Sequence, residues 1–261
     1  MLNYPNIDPN IFQIGRLAFR WYGFMYLLGF VAGYLVLSWQ IKNKKGLSLS
    51  KEEIGDAVTY AAFGVILGGR IGYILFYNFS YYFENPVRIF YVWEGGMSFH
   101  GGFLGTLAAM VLFARHKKIS FYQIADYAIP AIPIGLGLGR LGNFINGELF
   151  GRATDVPWCM VFPAGGAACR HPSQLYEALL EGLTLFLILL YLNRKQLPSG
   201  VLFWSFIAGY GSFRFIVEFF REPDPQLGFI LGPFSMGQFL SFPMAALGFL
   251  MILILSSRKP A

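Results

Sequence analysis

Apolar runs of about 20 residues, the length that spans one bilayer, recur along the chain between short clusters of charge. They predict seven helices, near residues 17–37, 57–77, 98–114, 124–144, 174–192, 201–220 and 236–255. Most connections are short, and two are not. Segment 78–97 carries Tyr81, Tyr82, Phe83, Tyr91 and Trp93, aromatics that favour the headgroup layer, so it reads as an interfacial loop on the membrane surface. Segment 144–173 mixes polar residues with glycine and proline and reads as a small cap in water. No fixed-period repeat or low-complexity stretch interrupts 1–261, which reads as a single polytopic membrane domain. Gly64, Gly68 and Gly72 recur at four-residue spacing, as do Gly135 and Gly139, a pattern that lets helix backbones approach closely.

Composition turns this pattern into a fold class, because the chain is 56 % hydrophobic and only 13 % charged. That is an all-α integral membrane protein. The first sixteen residues contain Asp8, two prolines and no lysine, unlike a cleavable signal peptide. Lys42, Lys44, Lys45 and Lys51 follow the first span, Arg115, Lys117 and Lys118 the third, Arg194 and Lys195 the fifth, and Arg258 and Lys259 the seventh. Every lysine therefore falls on one side, which places the N-terminus outside and the C-terminus in the cytoplasm. The net charge of +6 is accounted for by these short loops, so no nucleic-acid partner is implied. Cys159 and Cys169 fall in the outer fourth-to-fifth connection, where a disulfide and two free thiols are both open.

A charge in the bilayer core costs at least about 2.5 to 3.5 kcal/mol and needs a partner, a cavity or a route to the interface. Tyr22, Tyr26, Arg70, His100, Arg140, Asn143, Glu177, Glu181, Arg214 and Glu218 all map to the outer half of six spans. Asp126 alone lies near an inner end, as a helix-start carboxylate. Tyr210, Arg214, Glu218 and Arg221 follow steps of four, four and three and share one helix face. Glu218 is placed to pair with Arg214 or Arg221. Convergence of Arg70, Arg140 and Arg214 at one depth calls for an anion, and phosphate fits the guanidinium fork. In GRLGNFINGELFG (139–151), Arg140 ends the fourth span facing that anion, and Asn143 and Asn146 supply neutral donors and acceptors. Gly142, Gly147 and Gly151 let the backbone turn or approach a headgroup. Glu148 is placed to hold Arg140 or Arg152. The absence of a soluble phosphate-binding motif points to a lipid phosphate rather than a nucleotide.

These stretches resemble the prolipoprotein diacylglyceryl transferase family. GRLGNFINGELFG is joined by RWYGFMYLLGF (20–30), LGGRIGYILFYN (67–78), EGGMSFHGG (94–102), RHPSQLYEALLEG (170–182), GYGSFRFIVEFFREPD (209–224) and SMGQ (235–238), in order over nearly the whole chain. The resemblance implies a bacterial inner-membrane enzyme, its active site towards the outer or periplasmic face. It would transfer the diacylglyceryl group of phosphatidylglycerol to the lipobox cysteine in the signal peptide of a preprolipoprotein, forming a thioether and releasing glycerol phosphate. It also implies seven spans with the N-terminus outside. Family positions regarded as essential fall on Tyr22, His100, Arg140, Asn143, Glu148, Gly151, Tyr210, Arg214, Glu218 and Arg221, with Arg140 at the headgroup. The connection between Gly151 and Arg170 is shorter here than in some members, and Cys159 and Cys169 match nothing in the family pattern.

On this reading His100, Arg140 and Arg214 are catalytic. Tyr22, Arg70, Asn143, Asn146, Glu148, Gly151, Tyr210, Glu218 and Arg221 bind or orient the lipid together with Arg140. A cysteine thiol of pKa near 8.5 must lose its proton, and His100, with an ordinary value near 6.5, is the candidate base. His171 reads as structural or as a headgroup contact. No metal-ligand spacing or nucleotide motif occurs, so neither metal nor cofactor is expected. A transporter would show polar groups through the full depth or an internal repeat, and an intramembrane protease a GxSG serine or paired membrane aspartates; the chain has neither pattern.

Overall fold

The structure, a computed structural model, describes residues 2–5, 7–15, 17–44, 46–92, 95–223 and 228–257. Lys45, Trp93, Glu94, Asp224, Arg258 and Lys259, which carry some of the expectations above, lie outside these residues.

In chain order, strands β1 (Asn10–Ile14) and β2 (Leu17–Arg20) form an antiparallel hairpin that pairs Phe12 with Phe19 and Ile14 with Leu17. Helices α1 (Trp21–Asn43), α2 (Lys51–Tyr77) and short α3 (Phe79–Glu84) follow. A 3-10 turn (Pro86–Phe90) then leads to α4 (Phe99–His116). Helix α5 (Phe121–Ala128) runs through a 3-10 turn (Ile129–Ala131) into α6 (Ile132–Ile145), where Pro130 and Pro133 fall at turn and helix starts. Helix α7 (Ser173–Glu177) passes through a π-helical stretch (Ala178–Thr184) into α8 (Leu185–Asn193). Helix α9 (Val201–Val217), the hairpin β3 (Phe229–Leu231) and β4 (Phe234–Ser235), and α10 (Met236–Ser256) complete the chain.

Among the described residues, five helical stretches are long and apolar enough to cross a membrane: Trp21–Asn43, Lys51–Tyr77, Phe121–Ile145, Ser173–Asn193 and Met236–Ser256. Val201–Val217 is a shorter apolar helix, and α4 has 18 residues. Large apolar side chains stand exposed along these helices, among them Leu27, Leu35, Phe63, Leu67, Leu187, Phe249 and Leu253, as lipid-facing surfaces require.

The chain falls into two compact units, 37–127 and the pair of segments 1–36 and 128–261. In the 37–127 unit, α2 starts with a capping box in which Ser50 and Glu53 satisfy each other's backbone amides. Gly64 and Gly72 press on α4: a Cβ on Gly72 would lie 2.7 Å from the Cα of Gly101, and one on Gly64 2.7 Å from the Gly105 carbonyl. This is the backbone approach the spacing predicts. Asp126 differs from its expectation, since α5 begins at Phe121 and has no acid in its first turn. It sits a turn later, buried, in electrostatic reach of Lys44.

In the other unit, Leu185, Leu189, Leu202, Phe206 and Ile207 close with Ile129 into an apolar core. Here α6 meets the π-helical stretch through Gly137, whose Cβ would lie 3.2 Å from Gly182, whereas Gly135 and Gly139 would meet nothing within 4 Å of theirs. Of the two spaced glycines, Gly135 lies opposite Gly29 of α1, whose Cβ would come within 3.4 Å of the Gly135 Cα. Segment 144–173, expected as a cap, runs from the end of α6 to the start of α7. Backbone bridges join Ala153 and Met160 to Arg170, Phe162 is buried, and a disulfide joins Cys159 to Cys169. The thiol alternative is thereby resolved in favour of the disulfide.

Candidate active site

The end of α6 brings Arg140, Asn143 and Asn146 to one face by steps of three. Gly147 then reverses the chain at a φ of 66°, which a residue without a Cβ adopts at no steric cost. The turn returns Glu148 to the helix, where its N–H donates to the Asn143 carbonyl at 3.1 Å. The amides of Asn143 and Asn146 donate to the Glu148 carboxylate at 2.9 and 3.0 Å, and Gln174 donates to its carbonyl at 2.7 Å. Glu148 thus holds the two asparagines rather than Arg140 or Arg152. The Asn143 oxygen faces Arg140 Nη1 at 3.5 Å, the outer limit of a hydrogen bond.

Arg140 is secured from another helix. Oε2 of Glu177, the last residue of α7, lies 2.8 Å from Arg140 Nε and 2.5 Å from Arg214 Nη1. Glu181 lies 3.7 Å from the same Arg214 nitrogen. Arg214 Nη2 meets Glu218 Oε1 at 2.5 Å, and Arg221 Nη1 reaches that oxygen at 3.3 Å. Arg221 and Arg214 therefore share Glu218, so both pairings open to it in the sequence are made. Glu177 and Glu181 are fully buried, as is Glu218 apart from 1 %. Three guanidiniums and three carboxylates interleave, which offsets much of the desolvation cost of each.

The expectation that clustered arginines need a bound phosphate meets a different arrangement. Glu177 is the anion that brings Arg140 and Arg214 together, and both terminal nitrogens of Arg214 are on carboxylates. Arg70 lies in the 37–127 unit, where it donates to the carbonyls of Arg88, Ile89, Tyr91, Gly95 and Gly96 and covers the ring of buried Tyr82 at 4.9 Å. Five N–H groups are all a guanidinium has, so Arg70 organises the 85–96 segment. Tyr82 is packed beneath that guanidinium. Arg140 differs: its Nη2 has no hydrogen bond among the described residues, and its side chain is 17 % exposed.

The remaining expected residues are placed as follows. Tyr22 packs its ring on Gly142, where a Cβ would lie 3.0 Å away, and its hydroxyl meets Tyr26 at 3.2 Å. Tyr210 stacks on Phe206 in electrostatic reach of Arg140, Arg214, Glu177 and Glu181. Gly151 approaches protein backbone rather than a headgroup. A Cβ there would lie 2.5 Å from the Phe220 carbonyl and 2.6 Å from His171 Cβ, so only glycine lets the cap dock on the end of α9. Arg152 caps the same end, donating to the carbonyls of Glu218 and Arg221 at 2.9 Å each. His100 is exposed on the first turn of α4, in the 37–127 unit.

His171 lies in the cap. The Tyr176 hydroxyl accepts from Trp158 Nε1 at 2.7 Å and faces His171 Nδ1 at 3.1 Å. Burial pushes the His171 pKa down. Sequence reasoning grouped Glu177 and Glu181 with the other polar residues of the spans but gave them no role. Their signal was a pair of acids one turn apart at the start of an apolar run, with no basic residue on the same run to neutralise them.

A family model described as prolipoprotein diacylglyceryl transferase matches residues 9–254. A protein of Geobacter sulfurreducens named phosphatidylglycerol–prolipoprotein diacylglyceryl transferase is 60 % identical over 258 residues, covering 99 % of each chain. Proteins of the same name from Bordetella avium and Aliivibrio salmonicida are 52 % and 55 % identical, over 99 % and 96 % of this chain and 98 % and 88 % of their own.

Proposed function

The chain belongs to the prolipoprotein diacylglyceryl transferase family, and from that premise we propose that it transfers the diacylglyceryl group of phosphatidylglycerol to the lipobox cysteine of a preprolipoprotein signal peptide, forming a thioether. The observation that carries this reading is the state of Arg140. Glu177 fixes its Nε, and its Nη2 is uncommitted among the described residues, so a phosphate can be taken without dismantling the carboxylate cluster.

The thiolate attacks the glyceryl carbon next to the phosphate. The new S–C bond replaces the C–O bond, and glycerol phosphate leaves with a second negative charge. Arg140 meets that charge directly, and Arg214 adds its field from behind Glu177 in a low-dielectric site. Buried Asn146 Oδ1, which has no donor among the described residues, suits a hydroxyl of the glycerol headgroup. Tyr22 and Tyr210 orient the lipid, while Glu148, Glu218 and Arg221 hold the groups that touch it. His100 takes the thiol proton on the sequence argument.

The protein crosses the bacterial inner membrane seven times, N-terminus outside, with the site at the outer face. Supporting this, the five long apolar helices are joined by α9 and by α4, whose 18 residues extend about 27 Å. The Cys159–Cys169 disulfide suits an oxidising compartment on the cap side. The test uses purified protein, phosphatidylglycerol labelled in its headgroup and a lipobox peptide. Peptide-dependent release of labelled glycerol phosphate by wild type, lost in Arg140→Ala and His100→Gln, supports the reading. A wild type that releases none, or releases it equally without peptide, overturns it.

A further inference from the structure

SMGQ (235–238) belongs to the resemblance but has no part in the chemistry above. It opens α10: Ser235 is the N-cap, its hydroxyl accepting from the Gln238 N–H at 3.3 Å while the Gln238 side chain accepts from the Ser235 N–H at 3.1 Å. The hydroxyl proton is left for another partner, and Ser235 Oγ donates it to Glu218 Oε2 at 2.6 Å. Gly237, one residue inside the helix, lies against the same carboxylate. A Cβ there would sit 2.6 and 2.8 Å from the two Glu218 oxygens, closer than unbonded heavy atoms approach. The start of α10 also presents the positive end of the helix dipole to this acid. Among the described residues Glu218 is thus seated by Ser235 and Gly237 on one side and bound to Arg214 and Arg221 on the other.

We propose that Ser235 and Gly237 are positioning residues of the transferase site: together they seat the Glu218 carboxylate that fixes Arg214, and through Glu177 the guanidinium of Arg140. This rests on the transferase reading. The route is short. Glu218 Oε1 holds Arg214 Nη2 at 2.5 Å, Arg214 Nη1 holds Glu177 Oε2 at 2.5 Å, and Glu177 holds Arg140 Nε at 2.8 Å. A shift of Glu218 therefore moves the cation that contacts the lipid. In Gly237→Ala the added Cβ displaces the Glu218 carboxylate, and because that carboxylate is tied to two arginines its shift is passed on to them.

The experiment measures glycerol phosphate release and thermal midpoints for wild type and for Gly237→Ala, Glu218→Asp, the double variant, Ser235→Thr and Ser235→Asp, all in phosphatidylglycerol vesicles with a lipobox peptide. Gly237→Ala should lower kcat by about 30-fold or more, since a displacement of about 1 Å in a catalytic constellation costs about 100-fold. Glu218→Asp alone should also lose activity, yet in the Gly237→Ala background it should restore about tenfold, because the shorter acid withdraws from the added methyl group. Ser235→Thr keeps the hydroxyl and the wild-type rate. Ser235→Asp keeps the helix cap but sets a second carboxylate against Glu218, and should lose at least tenfold. A role confined to helix capping or packing predicts no rescue in the double variant and full activity in Ser235→Asp, and either result overturns the proposal. Should Gly237→Ala not fold, the Ser235 pair decides. A wild type that releases no glycerol phosphate instead refutes the transferase reading on which the proposal stands.

Discussion

Removing the Glu177 carboxylate tests the site at the atom that joins Arg140 to Arg214. Oε2 receives Arg140 Nε at 2.8 Å and Arg214 Nη1 at 2.5 Å, with the side chain fully buried. In Glu177→Ala, Arg214 keeps Glu218, whereas Arg140 loses the one carboxylate within 4 Å among the described residues. A hydrogen bond to a charged group contributes about 1.5 to 3 kcal/mol. If that energy serves to hold Arg140 towards the leaving phosphate, its loss lowers kcat/KM by about 10-fold to 150-fold at 1.36 kcal/mol per decade. Glu177→Gln keeps a neutral acceptor and belongs at the lower end, and Glu177→Asp should fall between Gln and wild type. Because the phosphate gains charge only as the C–O bond breaks, kcat should fall more than KM for phosphatidylglycerol rises. The assay is initial-rate glycerol phosphate release against phosphatidylglycerol mole fraction in mixed vesicles. Glu177→Ala with a cooperative thermal transition and wild-type kcat/KM would refute the positioning argument.

Three further outcomes follow from the same geometry. Arg140→Lys keeps the charge but cannot both meet Glu177 through Nε and present a separate terminal nitrogen, so its transfer rate should drop by about 100-fold. The Cys159–Cys169 bridge spans ten positions, for which loop-closure entropy gives about 3 kcal/mol of stability; the paired serine variant should show a lower thermal midpoint, matched by wild type in reductant. Burial holds the His171 pKa down, so just below the ordinary value of about 6.5 the unfolded chain binds more protons than the folded one. Stability should then fall as pH drops through that value and level off below the folded one. Thermal midpoints from pH 7.5 to 5 should show this slope, and His171→Gln should flatten it.

Which helices exist was legible because lipid imposes length and composition on them, but the start of α2 was not: the second run was read from residue 57, and the helix begins at Lys51 behind a capping box of Ser50 and Glu53. Their edges were less so. The first apolar run was read from residue 17, yet Leu17–Arg20 is a strand paired with Asn10–Ile14, and α1 starts at Trp21. An apolar strand at the interface continues the hydropathy of the helix behind it, so the boundary has no compositional mark. The π-helical stretch Ala178–Thr184 was equally hidden, since a locally wider turn leaves no mark on the residue pattern. Π-helical turns concentrate at functional sites, and this one follows Glu177 and contains Glu181.

What the sequence establishes about a buried guanidinium is that something must neutralise it; what neutralises it is decided by tertiary partners that spacing does not encode. The three arginines read as one cluster have three different answers. Arg70 is taken by the carbonyls of residues 88–96, available because that loop folds back on α2. Arg214 is taken by acids from its own helix and from the helix that starts 41 positions earlier, at Ser173. Arg140 is taken at Nε only, with a weak contact at Nη1. Of the three it alone combines a fixed orientation with an uncommitted donor, the combination that recognition of an incoming anion requires. On the proposed function, the lipid phosphate is met by one edge of one guanidinium at the end of α6, and the surrounding acids and arginines serve to keep that edge in position and charged.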